Sequence, residues 1–158
     1  MRGQKIPERA ILHIDMDNFF ASVACMLNPE LKPFPVAVCG SQEERHGIVL
    51  AKNNAAKANG VRTGKAIWEA KRKCPNLVIV SPQYEQYMRF SKLAREIYGR
   101  YTDLIEPFGM DEVWADVTGS QRFIGTPLQI AEEIKETIQS ELGLTVSIGV
   151  SFNKIFAK

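Results

Sequence analysis

Cysteine is scarce in this chain: Cys25, Cys39 and Cys74 are the three in 158 residues. Their number is odd and no two stand at CxxC spacing. That excludes a disulfide scaffold and a cysteine-ligated zinc site, and it fits a reducing compartment. Histidine is scarcer still, and His13 and His46 are isolated in the sequence, so neither opens a metal-ligand cluster. No apolar run approaches the roughly 18 residues of a membrane span. The N-terminal MRGQKIPERA lacks the apolar stretch of a secretory signal. Internal repeats and low-complexity tracts are absent too. The expected setting is the cytoplasm, with no membrane partner.

A large excess of charge of one sign is also missing. The formal net charge is +2, too small to name a partner. Its distribution says more. Lys52, Lys57, Arg62, Lys65, Lys71, Arg72 and Lys73 face a single acid, Glu69, over the same stretch. Such a segment is either a phosphate-facing surface or a solvated helix face balanced by acids elsewhere.

What is present is enough chain for one domain, or one domain with an insertion, around a real core. AILHIDM (10–16) reads as a short strand that stops at Asp17 and Asn18, both good helix N-caps. Phe20, Val23, Ala24 and Leu27 then recur at helical spacing, until Pro29, Pro33 and Pro35 break the helix. PVAVCG and GIVLA are two short strands. NNAAKAN is a small helix with Gly60 placed to end it, AIWEAKRKC is another, stopped by Pro75, and LVIVS is a strand. A longer helix over 84–102 sets Tyr87, Phe90, Ala94, Ile97 and Tyr101 on one side. LIEPF and EVWADV form hairpin arms. Thr126-Pro127-Leu128-Gln129 is a capping box with proline at the first helical position, and the helix it opens ends at Gly143. LTVSIGV alternates as a half-buried strand should, and FNKIFAK begins a last helix in which the chain stops, as expected of part of a longer protein.

Without residues 28–83 the order is strand, helix, strand, strand, helix, strand. That is the split βαβ, or ferredoxin-like, pattern, so the fold class is α+β with an inserted small α/β subdomain over 28–83 and a main body of 1–27 and 84–158. In such a sheet the right-handed crossover makes strands one and two parallel, and the hairpin returns strand three between them. The C-terminal end of strand one and the hairpin tip then share one edge. Asp15 stands at the first, and Asp111 and Glu112, in the bend GMDE, at the second. Three carboxylates together need a cation, because like charges raise one another's pKa. An all-oxygen set suits a hard ion such as Mg2+, which completes its shell with water and substrate phosphate. The helix opening at Asn18 aims free N–H groups at the same edge, a seat for phosphate oxygens. Carboxylates, a divalent metal and phosphate together point to phosphoryl or nucleotidyl transfer with two ions. Asp17 reads as a helix cap rather than a ligand, and Asp116 as a residue of an exposed face. Phe19 and Phe20 are core residues by default, with Phe20 the one able to line the site.

HIDMDNFFASV, PVAVCG, NNAAKANGVRTG, MDEVWADVTGS and VSIGVSFNKIFAK resemble, in order and over almost the whole chain, the N-terminal catalytic part of the Y-family (translesion) DNA polymerases. The resemblance implies that the ferredoxin-like body is the palm and the insertion the fingers. It implies that Asp15, Asp111 and Glu112, with the backbone carbonyl of Met16, hold two Mg2+. It places the triphosphate on the N–H groups near Asn18, Phe19 and Phe20, and makes Phe20 a steric gate against a ribose 2′-hydroxyl. Many relatives carry Thr, Tyr and Arg where this chain has Ala51, Asn54 and Lys57, so Asn54 and Lys57 are the nucleotide-facing residues implied here. Lys57 keeps a point charge but lacks the fork of arginine. The resemblance also implies a thumb, a further DNA-gripping domain, a triphosphate lysine and sliding-clamp contacts beyond Lys158.

The expected function is DNA-directed DNA synthesis, with dNTP and primer–template DNA as partners. A fragment without the later DNA-gripping domains is expected to be inactive alone. A palm-type nucleotide cyclase would use the same metals without a template, but the basic insertion argues against it. A non-catalytic nucleic-acid-binding module would stack bases on exposed strand aromatics. Trp114 is the one obvious candidate for that, and the acids would repel RNA.

Overall fold

In the computed structural model the described residues are 8–41 and 47–158, and His46 lies outside them. The elements in chain order are β1 (Ile11–Met16), α1 (Phe19–Leu27), β2 (Val36–Cys39), β3 (Val49–Lys52), α2 (Asn54–Ala58), α3 (Ile67–Lys73) and β4 (Val78–Val80). There follow α4 (Tyr84–Tyr98), β5 (Ile105–Phe108), β6 (Glu112–Asp116), α5 (Pro127–Leu142), β7 (Val146–Ser151) and α6 (Lys154–Ala157). They gather into two compact units. One runs through Asp17 and resumes at Phe90–Lys158, and the other is Asn18–Arg89.

The first unit is built on a four-stranded sheet of order β5-β6-β1-β7. All three pairings are antiparallel, so β1 and β5 run the same way on either side of β6. This is the split βαβ arrangement read from the sequence. Period-two alternation gives the sheet two different faces. Leu12, Ile14 and Met16 on β1 and Val113 and Ala115 on β6 are buried on one face. Helix α5 packs against β7 and contributes buried Ile130, Ile134 and Ile138, each worth roughly 1.5–3 kcal/mol of burial. Its start is the expected capping box: Gln129 N–H donates to the Thr126 hydroxyl, and Thr126 N–H to the Gln129 side chain. Its end is Gly143, at φ 68°.

The opposite face carries His13, Asp15, Glu112 and Trp114, and α6 packs over it onto β1 and β7. That approach depends on Gly149, because a Cβ there would stand 1.7 Å from the Ala157 carbonyl oxygen. The helix after the insertion ends at Tyr98 rather than running to Thr102. Tyr101 is half-buried beyond it, its hydroxyl 3.0 Å from that of Thr137.

The second unit has a three-stranded sheet, order β3-β2-β4, with β2 antiparallel to β3 and parallel to β4. Its core joins Ala37, Cys39, Val49, Ala56, Val61, Ala70, Cys74 and Leu77. The cysteines are therefore packing residues, and burial pushes the Cys39 thiol up to about 11, out of the reactive range. Asn53 caps α2 and ties the unit together. Its Oδ1 accepts from Ala56 N–H and Val36 N–H, while its Nδ2 donates to the Phe34 carbonyl. Helix α1 packs against β2 and β3. It buries Phe19, Ala21, Val23 and Cys25 and leaves Leu27 exposed, so its inner face is not the predicted Phe20–Val23–Ala24–Leu27 stripe. FFASVACML is apolar almost throughout, and periodicity cannot phase such a helix.

Candidate active site

The three acids lie within the first unit. Asp15 and Glu112 are direct cross-strand partners in the β1–β6 pairing. Asp111 is the last residue of the three-residue connection Gly109-Met110-Asp111, since Phe108 already pairs with Glu112. Glu112 thus begins the strand instead of sitting in the bend. The connection is fixed one carbonyl at a time. Gly109, at φ 74°, accepts from an Arg95 guanidinium nitrogen at 2.6 Å. The Met110 carbonyl accepts from the Ser91 hydroxyl at 2.5 Å, and the Asp111 carbonyl from Met16 N–H at 2.9 Å. Ser91 and Arg95 stand four apart, on one side of α4. The hairpin tip and the end of β1 are therefore held as a single piece.

Electrostatics show the cost of this arrangement. All three acids are half-buried. Burial first, then the neighbouring charges of Asp111, Glu112 and Asp17, raise the Asp15 carboxyl from 3.8 to about 6. Burial also raises Asp111, and Glu112 adds to it. His13 Nε2 is 3.9 Å from Glu112, but burial lowers the pKa of its imidazole and keeps it from being a firm counter-ion. The Lys158 ammonium lies 3.6 Å from Glu112. A cavity of about 320 Å3 opens beside the acids, bordered by His13, Asp15, Glu112, Ser147 and Lys158. Among the described residues no three His, Cys, Asp or Glu side chains already enclose one ion position. The chemistry still fits a hard cation. The donors are carboxylates, and Asp15 stands beside the charges of Asp111 and Glu112.

The N-cap position of α1 is Asn18, one residue after Asp17. The Asp17 carboxylate accepts from the Thr145 hydroxyl at 2.8 Å and the Ser147 hydroxyl at 2.6 Å. Ser147 lies on β7, which neighbours β1, and Thr145 immediately before it. Asp116 accepts from Thr118 N–H and works as a turn residue.

The predicted nucleotide residues lie in the second unit. Asn18 has a left-handed backbone, φ 46°, and its side chain makes no helix cap. Its Nδ2 instead donates to the Asn54 Oδ1 at 3.0 Å. Phe19 is buried and Phe20 half-buried. The Phe20 ring stacks on Tyr87, centroids 4.1 Å apart and planes 8° apart, and meets Tyr84 edge-on at 5.9 Å. Asn54 and Lys57 are exposed. The sequence marks Tyr87 only as a residue of the apolar helix side, and it does not mark Ser91, Arg95, Thr145, Ser147 or Tyr84 at all. Thr145 and Ser147 were the findable pair, as alternating hydroxyls on a strand already assigned to the sheet.

The sequence profile of the impB/mucB/samB family matches residues 14–158. The chain is 58% identical over 151 residues to DNA polymerase IV of Acetivibrio thermocellus, covering 96% of this chain and 38% of that protein. It is 42% identical to DNA polymerase IV 2 of Bacillus subtilis, over 96% of this chain and 37% of that protein. Among solved structures, DinB from Sulfolobus solfataricus superposes with a TM-score of 0.87 at 32% identity, over 94% of this chain and 43% of that one. An insertion ternary complex of Dbh DNA polymerase gives a TM-score of 0.87 at 31% identity, over 94% of this chain and 44% of that one. The chain therefore spans less than half the length of these relatives.

Proposed function

The chain belongs to the impB/mucB/samB family, the Y-family of DNA polymerases, and from that premise we propose that it forms the palm and fingers of a translesion DNA polymerase. The reaction is template-directed transfer of a deoxynucleotide onto a primer 3′-hydroxyl. The observation that carries this reading is the acid set: Asp15 and Glu112 paired across two strands, with Asp111 in the connection latched to Met16. Residues 1–27 and 84–158 act as palm and 28–83 as fingers, with α1 packed on the fingers side.

Asp15, Asp111, Glu112 and the Met16 carbonyl would hold two Mg2+. When bound, these ions lower the pKa of the primer hydroxyl and neutralise the departing pyrophosphate. The chain's own residues contribute position. The latched connection keeps Asp111 and Glu112 in register with Asp15, so little reorganisation is needed when charge develops. The Asn18 side chain makes no cap on the first turn of α1, whose N–H groups serve the triphosphate. Asn54 offers an amide and Lys57 a charge to the same phosphates. Phe20, braced by Tyr87 and Tyr84, presents a fixed ring that collides with a 2′-hydroxyl. Primer–template DNA is gripped mainly, and a sliding clamp entirely, by regions beyond this chain, and the enzyme works in the cytoplasm. Among the described residues no helix is long and apolar enough to cross a membrane.

The test is primer extension by the whole protein with Mg2+, wild type beside Asp111→Ala. The wild type should copy template order, and the variant should lose about 100- to 1,000-fold in rate. Extension by Asp111→Ala at the wild-type rate, or extension indifferent to template, overturns the reading.

A further inference from the structure

Asp17 stands where β1 hands over to α1, two residues from Asp15. Both of its carboxylate oxygens are engaged: Oδ2 accepts from the Thr145 hydroxyl at 2.8 Å and Oδ1 from the Ser147 hydroxyl at 2.6 Å. The backbone closes the same contact, Asp17 N–H donating to the Thr145 carbonyl at 3.0 Å. Ser147 is in turn the direct cross-strand partner of Asp15. The last residues of β1 are thus pinned on both sides, to the hairpin through Met16 N–H and to β7 through Asp17.

We infer that Asp17 is a positioning residue of the metal site: its carboxylate, fixed by the Thr145 and Ser147 hydroxyls, sets the Asp15 carboxylate at the geometry a divalent cation requires, and its backbone N–H, held by the Thr145 carbonyl, orients the Met16 carbonyl beside it. The inference rests on the polymerase reading above. Asp17 acts through its neighbours and need not touch the metal. The Met16 carbonyl joins the same peptide as the Asp17 N–H. Once Thr145 fixes that N–H, the direction of the carbonyl is fixed with it. Loss of such outer support typically weakens metal binding by about 10- to 100-fold.

The experiment titrates Mn2+ into the full chain by calorimetry, with thermal unfolding of each variant alongside. Asp17→Ala removes the clamp and should weaken Mn2+ binding about 10-fold or more. Asp17→Asn keeps it, because Oδ1 still accepts from Ser147 while Nδ2 donates to a Thr145 hydroxyl that has turned from donor to acceptor. That variant should stay within about 3-fold of wild type. The double variant Thr145→Val with Ser147→Ala, which leaves Asp17 in place, should match Asp17→Ala. If Asp17→Asn binds as poorly as Asp17→Ala while the hydroxyl double is normal, Asp17 is a direct ligand and the inference fails. It also fails if Asp17→Ala lowers the unfolding temperature with Mn2+ affinity unchanged. A wild-type chain that takes up no Mn2+ would overturn the polymerase reading itself, and this inference with it.

Discussion

Replacing Asp15 with Asn should make the metal-free chain more stable at neutral pH while destroying its response to metal. The Asp15 carboxyl is carried from 3.8 to about 6, first by burial and then by Asp111, Glu112 and Asp17. The folded state therefore holds a proton on Asp15 more tightly than the unfolded chain does. The associated stability is complete below 3.8 and is lost as the pH rises through about 6. At neutral pH the ionised group costs the fold, and at about 1.4 kcal/mol per pH unit the ceiling is about 3 kcal/mol. Asp15 is only half-buried, and water screens its neighbours, so about 1–2 kcal/mol is expected. The amide keeps the shape and removes the charge. In urea unfolding without divalent ions, Asp15→Asn should exceed wild type by that amount at neutral pH, and the gap should close towards about pH 4. Millimolar Mg2+ should stabilise the wild type and leave the variant nearly unmoved. A variant no more stable than wild type at neutral pH, or a gap of equal size at both pH values, would refute the electrostatic account. An equal response of both proteins to Mg2+ would remove Asp15 from the metal site.

Three further changes probe other parts of the structure. Phe20→Ala should raise incorporation of ribonucleotides over deoxynucleotides by the whole enzyme, at a folding cost of about 2 kcal/mol for a half-buried stacked ring; an unchanged sugar preference makes Phe20 a packing residue. Ser91→Ala leaves the Met110 carbonyl without its donor and should cost about 1 kcal/mol in urea unfolding while weakening Mn2+ binding; normal metal affinity would mean that the latch does not shape the site. Gly149→Ala drives a Cβ into the Ala157 carbonyl and should cost about 1–3 kcal/mol, with amide exchange in α6 accelerated; unchanged exchange there would show that α6 does not rest on this glycine.

Much of the first unit's sheet was legible in the sequence because its signals are local and mutually consistent. Alternation marks β7, the capping box marks α5, and the right-handed crossover puts the third strand between the first two, as in the observed order β5-β6-β1-β7. The placement of Asp15 against Glu112 follows from that order alone. Legibility ends where partners are chosen by distance in space. Nothing at Ser91 or Arg95 announces that their side chains will seize the carbonyls of Met110 and Gly109, 19 and 14 residues on. Asp17 belongs to the same case. Asp before a helix is a common cap, and nothing local to it announces the hydroxyls of Thr145 and Ser147, from which its carboxylate accepts across more than a hundred residues of chain. Helix α1 misleads because it is apolar on every side.

The pairing of Asn18 with Asn54 shows only in three dimensions. The Asn54 side-chain oxygen accepts from Asn18 Nδ2. Asn18 can reach it because its left-handed backbone, which asparagine tolerates better than most residues, turns its side chain away from the cap position. The two asparagines therefore function as a pair. With its oxygen engaged, Asn54 is left with an amide donor to present, which suits phosphate oxygen and not a base face. If Asn54 and Lys57 serve the triphosphate as proposed, the exposed charge of Lys57 one helical turn later adds to that donor. Nucleotide binding by the whole protein should then respond to ionic strength more than to the identity of the base, since these two residues contribute a dipole and a screened charge; binding indifferent to salt would remove them from the phosphates.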